Sequence, residues 1–307
     1  MKNAIIGFAF NYSNEQIAPF LQSLNRTGFT GDLILYINNK SRIEHNASYK
    51  YNFVLINFEK EHKGSILKHK LLKIYGGAFY NLFHKPRSLK AQEVIKISEP
   101  FSEDMLSYFY VNYYLATMRF ILYYNLLLSN KYDHVFFSDV SDVLFQQDIF
   151  KSVSPSKILA FEEKKEVSVG QDEWNKDWVI ESCGLDAFNA ISDKNIYCSG
   201  TILGDYNSAI TFLKDYIELM ISRRFKKKIV GLDQGFYNYM VNYLQLPYFE
   251  RSENADVVFT VALHSEEDFV MKEDKIYFAE KQDRMPSIVH QYTRHPALAS
   301  FVRKLYA

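Results

Sequence analysis

Cysteine and net charge are the two features that this 307-residue chain has least of. Its two cysteines, Cys183 and Cys198, belong to no cysteine–histidine cluster with zinc-finger spacing, so we expect neither a disulfide framework nor a structural zinc site. Its 36 basic and 36 acidic residues give a formal net charge of zero, which argues against nucleic acid as a partner. A reducing compartment is therefore the simplest expectation.

Long apolar runs are also missing. No stretch approaches the roughly 20 residues of a membrane-spanning helix. Residues 4–10 are too few for a signal peptide and fit a first strand better. A basic run at residues 223–228, Arg-Arg-Phe-Lys-Lys-Lys, fits either a solvated helix end or a peripheral contact with anionic lipid or a lipid-linked acceptor. We expect a soluble, cytoplasmic protein with at most a peripheral contact at the inner face of a membrane.

Strand-like and helical patterns alternate along the first part of the chain. Apolar runs at residues 4–10, 33–37 and 53–58 predict buried strands, and the apolar spacing from Ile17 to Leu24 predicts a helix. This alternation predicts an α/β fold with a mostly parallel sheet flanked by helices. The sequence has no internal repeat or low-complexity linker, so we expect a single domain.

The rest of the chain carries weaker signals, and residues 60–99 show no clear pattern. Residues 107–128, free of Gly and Pro, predict one helix that carries Arg119. Residues 162–177 predict a polar loop or lid with Trp174 and Trp178. Further strands are predicted at 196–203, 257–261 and 275–278, and helices at about 207–222 and at 233–244, the last with Asp233 as its N-cap.

The strongest chemical signal is the pair Asp139 and Asp142, directly after the apolar run 135–137. A buried strand that delivers two carboxylates to its C-terminal end can form a hard-cation site at the rim of a sheet, where a metal can hold phosphates. An acidic turn in which Asp142 or Asp148 caps a short helix is the structural alternative. Both interpretations stay open at this point.

His290 and Arg119 are the next candidates. His290 ends a second short apolar run, and an imidazole beside two carboxylates suits Mn²⁺ better than Mg²⁺, although a structural histidine is the alternative. Arg119 lies in an apolar segment and needs a carboxylate or phosphate partner. That partner is either one of the two aspartates or a bound diphosphate, and both place Arg119 near the site.

Two short segments add further candidates. Asp233 and Gln234 could contact sugar hydroxyls or stabilise positive charge at an anomeric carbon, while Asp233 could equally cap a helix. Cys198, Ser199 and Gly200 form a small-residue segment. Such a segment either lets the backbone approach a ligand closely or reflects packing inside a strand.

The order of these features resembles the metal-dependent glycosyltransferases of the GT-A fold, and is similar in layout to glycogenin-like and bacterial galactosyltransferase-like enzymes. Those enzymes have an Asp-x-Asp motif, a downstream Asp-Gln and a C-terminal histidine that completes a manganese site. A closer resemblance, over residues 110–300, is to a bacterial and algal group of glycosyltransferases. Its two motifs stand here as Ser138-Asp139-Val140-Ser141-Asp142-Val143-Leu144-Phe145-Gln146 and Val289-His290-Gln291-Tyr292-Thr293-Arg294-His295-Pro296.

The chain departs from these motifs at two points. Its acids have the spacing Asp-x-x-Asp rather than the Asp-x-Asp of the glycogenin-like enzymes, so the motif does not decide whether Asp139 or Asp142 contacts the metal directly. Thr293 stands where the second motif has an aspartate, so any role of that acid is absent here.

The resemblance implies a Rossmann-like GT-A domain that transfers a sugar from a nucleoside-diphosphate sugar, UDP-sugar first, to an acceptor hydroxyl with retention of configuration. Residues 1–150 would bind the donor, and residues 151–307 would bind a saccharide or lipid-linked acceptor, as in surface-polysaccharide or lipopolysaccharide synthesis. Mn²⁺, or Mg²⁺, would be held by Asp139, Asp142 and His290. Arg119, Asp233 and Gln234 would act on the donor sugar. The nucleotide would contact Phe8, Ala9, Tyr12, Arg119, Asp139, Cys198, Ser199 and Gly200.

Three other functions share some of these sequence features. A phosphohydrolase of the haloacid dehalogenase type also has two aspartates after a strand, but its chemistry needs Asp-x-Asp. A sugar nucleotidyltransferase needs a Gly-rich phosphate loop, and residues 5–14 have only Gly7. A non-catalytic protein that binds a carbohydrate or nucleotide is the alternative from a different class.

Overall fold

The computed structural model describes residues 2–83, 99–223 and 230–306. Its strands are β1 (Asn3–Phe8), β2 (Asp32–Ile37), β3 (Asn52–Asn57), β4 (His134–Ser138), β5 (Val143–Phe145), β6 (Ile158–Glu162), β7 (Tyr197–Asp205), β8 (Phe249–Ser252), β9 (Val258–Thr260), β10 (Phe269–Lys272), β11 (Lys275–Phe278) and β12 (Ile288–His290). Its α-helices are α1 (Asn14–Arg26), α2 (Phe58–Glu61), α3 (Lys63–Phe83), α4 (Glu103–Asn112), α5 (Leu115–Ser129), α6 (Ile149–Ser152), α7 (Glu173–Cys183), α8 (Leu185–Ile191), α9 (Tyr206–Ser222), α10 (Leu232–Tyr239) and α11 (Pro296–Tyr306). A π-helix covers Met240–Leu244, and 3-10 turns cover Glu266–Asp268, Ala279–Lys281 and Tyr292–Arg294.

A seven-stranded sheet forms the centre of the fold. Its order is β3-β2-β1-β4-β7-β6-β8, and β7 runs antiparallel to both of its neighbours. The other neighbouring pairs are parallel. The predicted α/β class and mostly parallel sheet are therefore confirmed, as are the first three predicted strands and the helix that follows the first of them.

The central strands bury both of their faces. On one side, Ile6, Val135 and Phe137 belong to an apolar cluster shared with α5 and α9. On the other side, Ile5 and Phe136 belong to a cluster shared with α1. Because helices cover both faces, these strands are apolar throughout instead of alternating with polar residues. That continuity explains why the strands can be recognised from the sequence.

A smaller sheet of order β5-β12-β9 joins the two sequence motifs. Strand β12 is antiparallel to β5 and parallel to β9, and His290 lies opposite Val143, the residue after Asp142. The Gln146 side chain supports this sheet, since its Nε2 donates to the carbonyl oxygens of Ile276 (2.8 Å) and Pro286 (3.0 Å). The pairing of β5 with β12 therefore decides which residue can approach Asp142.

The single helix predicted at residues 107–128 is wrong. The chain forms α4 and α5 instead, and Tyr113 and Tyr114 between them have extended backbone angles. No Gly or Pro marks this break. The junction carries Asn112, Tyr113 and Tyr114, three residues of low helix propensity, so a small gain from packing two separate helices suffices to interrupt the helix.

Two other expectations also need correction. The loop predicted at residues 162–177 extends only from residue 163 to residue 172, because Glu162 ends β6 and α7 begins at Glu173. Asp172, the N-cap of α7, accepts a hydrogen bond from the backbone N–H of Asn175 (2.7 Å). Trp174 and Trp178 therefore lie on a helix. Asp233 is not an N-cap, because α10 begins at Leu232 and its N-cap is Gly231, with a φ of 81°.

The expected membrane contact of the basic run falls largely outside the described residues, as do residues 84–98 of the unassigned region. Residues 224–228 are not described, whereas Arg223 donates hydrogen bonds to the carbonyl oxygen of Cys183 (3.1 Å) and to the hydroxyl of Tyr239 (3.3 Å). None of the helices in the described ranges combines the length and apolar character needed to cross a bilayer.

Helices α7 and α10 pack closely because α10 carries two glycines on its contact face. A Cβ on Gly231 would lie 2.1–2.4 Å from ring atoms of Trp178. A Cβ on Gly235 would lie 2.3 Å from the carbonyl oxygen of Trp178 and 2.4 Å from Ser182 Oγ. This close approach fixes the position of α10, and therefore of Asp233 and Gln234 on its first turn.

We predict that Gly235→Ala destabilises the protein, because the added methyl group has backbone on its path and must push α7 and α10 apart. The free energy of unfolding should fall by about 1–3 kcal/mol, as measured by urea denaturation. The matched control is Gly64→Ala in α3, where an added Cβ meets nothing within 4 Å and alanine favours the helix. Equal stability of Gly235→Ala and wild type would contradict the close packing.

Candidate metal centre

Several segments converge at the carboxyl edge of the central sheet. Asp139 and Asp142 lie in the turn between β4 and β5, and His290 ends β12. Strand β7 begins at the same edge, where the Asp139 N–H donates to the carbonyl oxygen of Gly200 (2.7 Å). The Gln291 N–H donates to the carbonyl oxygen of Asp142 (2.8 Å). Backbone hydrogen bonds thus fix both ends of the aspartate turn.

The side chains of Asp139, Asp142 and His290 form a compact group. One carboxylate oxygen of each aspartate and one imidazole nitrogen all lie within 4.8 Å of one another. His290 Nε2 is 3.5 Å from Asp139 Oδ2 and 3.8 Å from Asp142 Oδ1, which is too far for good hydrogen bonds. The His290 side chain is fully buried, whereas those of Asp139 and Asp142 are 35% and 19% exposed. The group therefore opens to solvent on its carboxylate side.

Two buried atoms of this group have no hydrogen-bond partner among the described residues. They are His290 Nε2 and Asp142 Oδ1. Buried polar atoms without partners cost free energy, and an ion that binds between them is one of the few ways to satisfy both. Two carboxylates and one imidazole suit Mn²⁺ or a similar divalent cation. The structure thus brings the three predicted residues together, while the identity of the metal stays a prediction.

Electrostatics around His290 favour a positive charge at its ring. Burial by itself lowers the pKa of His290, but Cys198, Asp139 and Asp142 around the ring raise that pKa well above its usual range. The other ring nitrogen, Nδ1, lies 3.6 Å from the Cys198 sulfur, so Nε2 is the nitrogen that faces the aspartates. A metal ion that binds Nε2 must displace its proton.

Position 200 requires glycine, because the side chains of Asp139 and His290 fill the space that a Cβ would occupy. It lies inside β7, and a Cβ at this position would be 2.4 Å from Asp139 Oδ2 and 2.7 Å from His290 Cε1. The segment Cys198-Ser199-Gly200 is therefore part of a strand that the metal ligands approach closely. This is the packing interpretation of the segment.

Arg119 pairs with carboxylates of this site. Its guanidinium donates to Asp139 Oδ1, to Asp233 Oδ2 (2.9 Å) and to the carbonyl oxygen of Ser199 (2.9 Å). Burial raises the pKa of Asp139, but Arg119 and His290 outweigh that effect and lower it to about 2. Asp139 is therefore ionised at neutral pH, and Arg119 holds it in one orientation.

Asp233 and Gln234 both lie in the site but differ in how they are used. Asp233 Oδ2 accepts from Arg119 and from Ser199 Oγ (3.3 Å). The Gln234 carboxamide is engaged at both ends. Its Oε1 accepts from the Ser199 N–H (2.7 Å), and its Nε2 lies within hydrogen-bonding distance of three acceptors, Tyr197 O (3.0 Å), Asn175 Oδ1 (3.2 Å) and Glu163 Oε1 (3.3 Å). Gln234 thus orients neighbouring groups, whereas Asp233 pairs with Arg119 although burial raises the pKa of Asp233.

Glu163 is a site residue that the sequence analysis missed. It follows β6, which runs parallel to β4, so it reaches the same edge as Asp139. Burial raises the pKa of Glu163 to about 7, although His290 acts in the opposite direction. The signal was present, because residues 158–163, Ile-Leu-Ala-Phe-Glu-Glu, are another apolar run that ends in acids.

The proposed nucleotide contacts at the end of β1 are only partly exposed. Gly7 pairs with Ser138, so Phe8 is level with Asp139 on the neighbouring strand. Ala9 is fully buried and its N–H donates to the carbonyl oxygen of Tyr36 (2.8 Å), so its side chain offers no contact surface. Tyr12 is half-buried against the α1 side of the sheet. Of the three, Phe8 is thus the closest to the aspartates by strand register.

No protein-family model matches the chain, and no match was found among curated proteins either. A functional proposal therefore depends on the topology of the sheet and on the geometry of the Asp139, Asp142 and His290 group.

We predict that Gly200→Ala weakens metal binding, because the added methyl group occupies the space between Asp139 and His290. The dissociation constant for Mn²⁺, measured by calorimetry, should rise at least about 10-fold, as for other changes that displace ligands. Gly64→Ala is again the matched control. An unchanged affinity of Gly200→Ala would show that the metal binds elsewhere.

We predict that Glu163 makes stability fall as pH rises. Its folded pKa of about 7 exceeds the ordinary value of 4.5, so the folded state holds the proton more tightly than the unfolded state. The favourable contribution is complete below pH 4.5 and is lost as pH rises to 7. In Glu163→Gln this loss, about 3 kcal/mol in total, should disappear. Urea denaturation in the presence of chelator, from pH 4.5 to 8, measures the free energy of unfolding of both proteins. If it depends on pH in the same way in wild type and in Glu163→Gln, the prediction is refuted.

Proposed function

We propose that this protein is a divalent-metal-dependent glycosyltransferase of the GT-A type, which transfers a sugar from a nucleoside-diphosphate sugar to an acceptor hydroxyl. The observation that carries the proposal is the Asp139, Asp142 and His290 group, with its unpartnered buried His290 Nε2, at the carboxyl edge of a mostly parallel sheet. Mn²⁺ is the preferred metal because one ligand is an imidazole.

The topology of the sheet supports a nucleotide at this position. The chain passes from β1 to β2 and β3 on one side, and then returns to place β4 on the other side of β1. In open α/β sheets, ligands bind at the carboxyl ends of the strands where the order reverses in this way. Phe8 is the last residue of β1 and Asp139 directly follows β4 at this reversal. A nucleotide bound there would therefore lie beside the proposed metal ligands.

Charge complementarity supports a diphosphate. Asp139 and Asp233 pair with the Arg119 guanidinium, Asp142 lies beside His290, and a divalent cation that displaces the His290 proton would balance the excess of negative charge. When bound, such a cation neutralises charge on a departing diphosphate. Without a cation, the three carboxylates would repel phosphate groups, so we expect nucleotide binding to depend on metal.

The side chains have distinct proposed roles. Asp139, Asp142 and His290 bind the metal, and Arg119 orients Asp139 and Asp233 through its hydrogen bonds to them. Asp233 and Asp139 accept from different nitrogens of the Arg119 guanidinium, and we propose that the Asp233 carboxylate faces the anomeric carbon. Gln234 supports Asp233 through the Ser199 backbone. The Asp-Gln pair favours retention of configuration, which NMR of the product linkage would test.

Nucleotide binding gives the first test. We predict that UDP raises the unfolding temperature in Mn²⁺ but not in chelator, since a ligand at 100 times its dissociation constant adds about 2.7 kcal/mol to stability. Asp142→Asn should abolish the shift. The matched control is Asp193→Asn, whose side chain is 72% exposed and pairs with Lys194. ADP, GDP and CMP are tested alongside to identify the base, and no shift with any of them would contradict the proposal.

Turnover of the donor separates an enzyme from a binding protein. At least one of UDP-glucose, UDP-galactose and UDP-N-acetylglucosamine should be hydrolysed in Mn²⁺ to UDP and the free sugar, with water as the acceptor, and Asp142→Asn should lower the rate at least about 100-fold, or 2.7 kcal/mol of barrier. Metal-dependent nucleotide binding without cleavage of any donor would favour a non-catalytic nucleotide-binding protein.

A further inference from the structure

The two tryptophans of the chain lie one helical turn apart on α7. Trp174 is 69% exposed and Trp178 is half-buried. Their ring centroids are 6.1 Å apart and the ring planes are inclined by 36°. We call this pair the tryptophan platform. A large indole left in water is an unfavourable use of apolar area unless a ligand covers it.

The platform lies directly beside the proposed site. The ring of Trp178 packs against Gly231, which precedes Asp233 by two residues. On the inward side of the same helix, Asn175 is buried and its Oδ1 accepts from Gln234 Nε2 (3.2 Å). Helix α7 therefore holds Gln234 with one face and presents Trp174 to solvent with another.

The polar groups around the platform identify its ligand chemistry. Helix α7 also exposes three carboxylates, those of Glu173, Asp177 and Glu181, against one cation, Lys176. Indole rings stack on the apolar C–H faces of sugar rings, and carboxylates accept hydrogen bonds from sugar hydroxyls. An anionic lipid surface would instead be repelled by the carboxylates, so the platform does not suit a membrane.

We propose that the tryptophan platform binds the saccharide acceptor, with a sugar ring stacked on Trp174 and its hydroxyls bonded to the carboxylates of α7. Its position beside Asp233 would present the acceptor hydroxyl to the donor sugar. The role of the bound saccharide as the acceptor rests on the transferase function proposed above, whereas saccharide binding by the platform does not.

Intrinsic fluorescence tests the proposal directly, because all tryptophan emission of the chain comes from the platform. Glucose, galactose and N-acetylglucosamine tetrasaccharides are titrated in Mn²⁺ and UDP. At least one should give a saturable change in emission with a blue shift as Trp174 leaves water. By calorimetry, Trp174→Ala should weaken binding at least 10-fold, and Trp174→Tyr should retain part of it. No change with any of the sugars would overturn the proposal.

The matched control is Tyr243→Ala. Tyr243 is 52% exposed and stacks on Tyr239 with ring centroids 4.9 Å apart, so Tyr243→Ala removes a comparable exposed aromatic ring that is not part of the platform. Saccharide binding should be unchanged in this variant, and an equal loss there would overturn the assignment to Trp174. Mn²⁺ and UDP binding should be unchanged in Trp174→Ala.

Two further outcomes separate the explanations. Saccharide binding in the absence of any nucleotide binding would sustain the platform and contradict the transferase. A change in tryptophan emission with vesicles of anionic phospholipid, but with none of the sugars, would overturn the saccharide and identify α7 as a membrane contact.

Discussion

The buried guanidinium of Arg119 joins helix α10 to two neighbouring strands of the central sheet, β4 and β7, whose own pairing does not fix α10. It bonds the turn after β4 through Asp139, strand β7 through the Ser199 carbonyl, and helix α10 through Asp233. A buried charge is tolerated only with well-placed partners, and removing one partner leaves an uncompensated charge. The fold therefore requires both aspartates close to Arg119, in the same place where the proposed chemistry needs them.

Because of the same interaction, the acidic residues of the site differ in whether they have a basic partner. Arg119 is shared by Asp139 and Asp233, so Asp142 and Glu163 must rely on other groups. Burial raises the pKa of both of these acids, although nearby His290 acts against it. Carboxylates held in this way are a poor choice for a stable core, and such local conflicts are expected at functional sites. The conflict is resolved for Asp142 if a cation binds beside it.

Elements of the structure could be predicted from the sequence where a single segment contains the whole pattern. Strands β1 to β3 and the aspartate turn were predictable because continuous apolar runs and their polar ends are local patterns. The break at Tyr113 was not predictable, since no Gly or Pro marks it and tertiary packing decides it. Asp233 was misplaced as an N-cap because Gly231, with its positive φ, ends the preceding turn two residues earlier.

The site itself was predictable only in part, for a related reason. Arg119, Asp139, Asp142 and His290 could be named, because charged or imidazole groups in apolar segments need partners. Their geometry could not be derived, because it depends on β12 pairing with β5 and on β7 entering the sheet antiparallel. Likewise, the three acceptors near Gln234 Nε2 come from α7, from β7 and from the residue after β6, which no local pattern connects to α10.

The position of His290 on β12 means that an ion bound at the candidate site would also affect the stability of the fold. An ion shared by Asp139 and His290 would tie together two points roughly 150 residues apart in the chain, and a clip of that span removes much freedom from the unfolded polypeptide. Such an ion would act as a cross-link between the central sheet and the small sheet that ends in β12. The C-terminal segment of the chain would then be anchored by the same atom that prepares the site for its ligand.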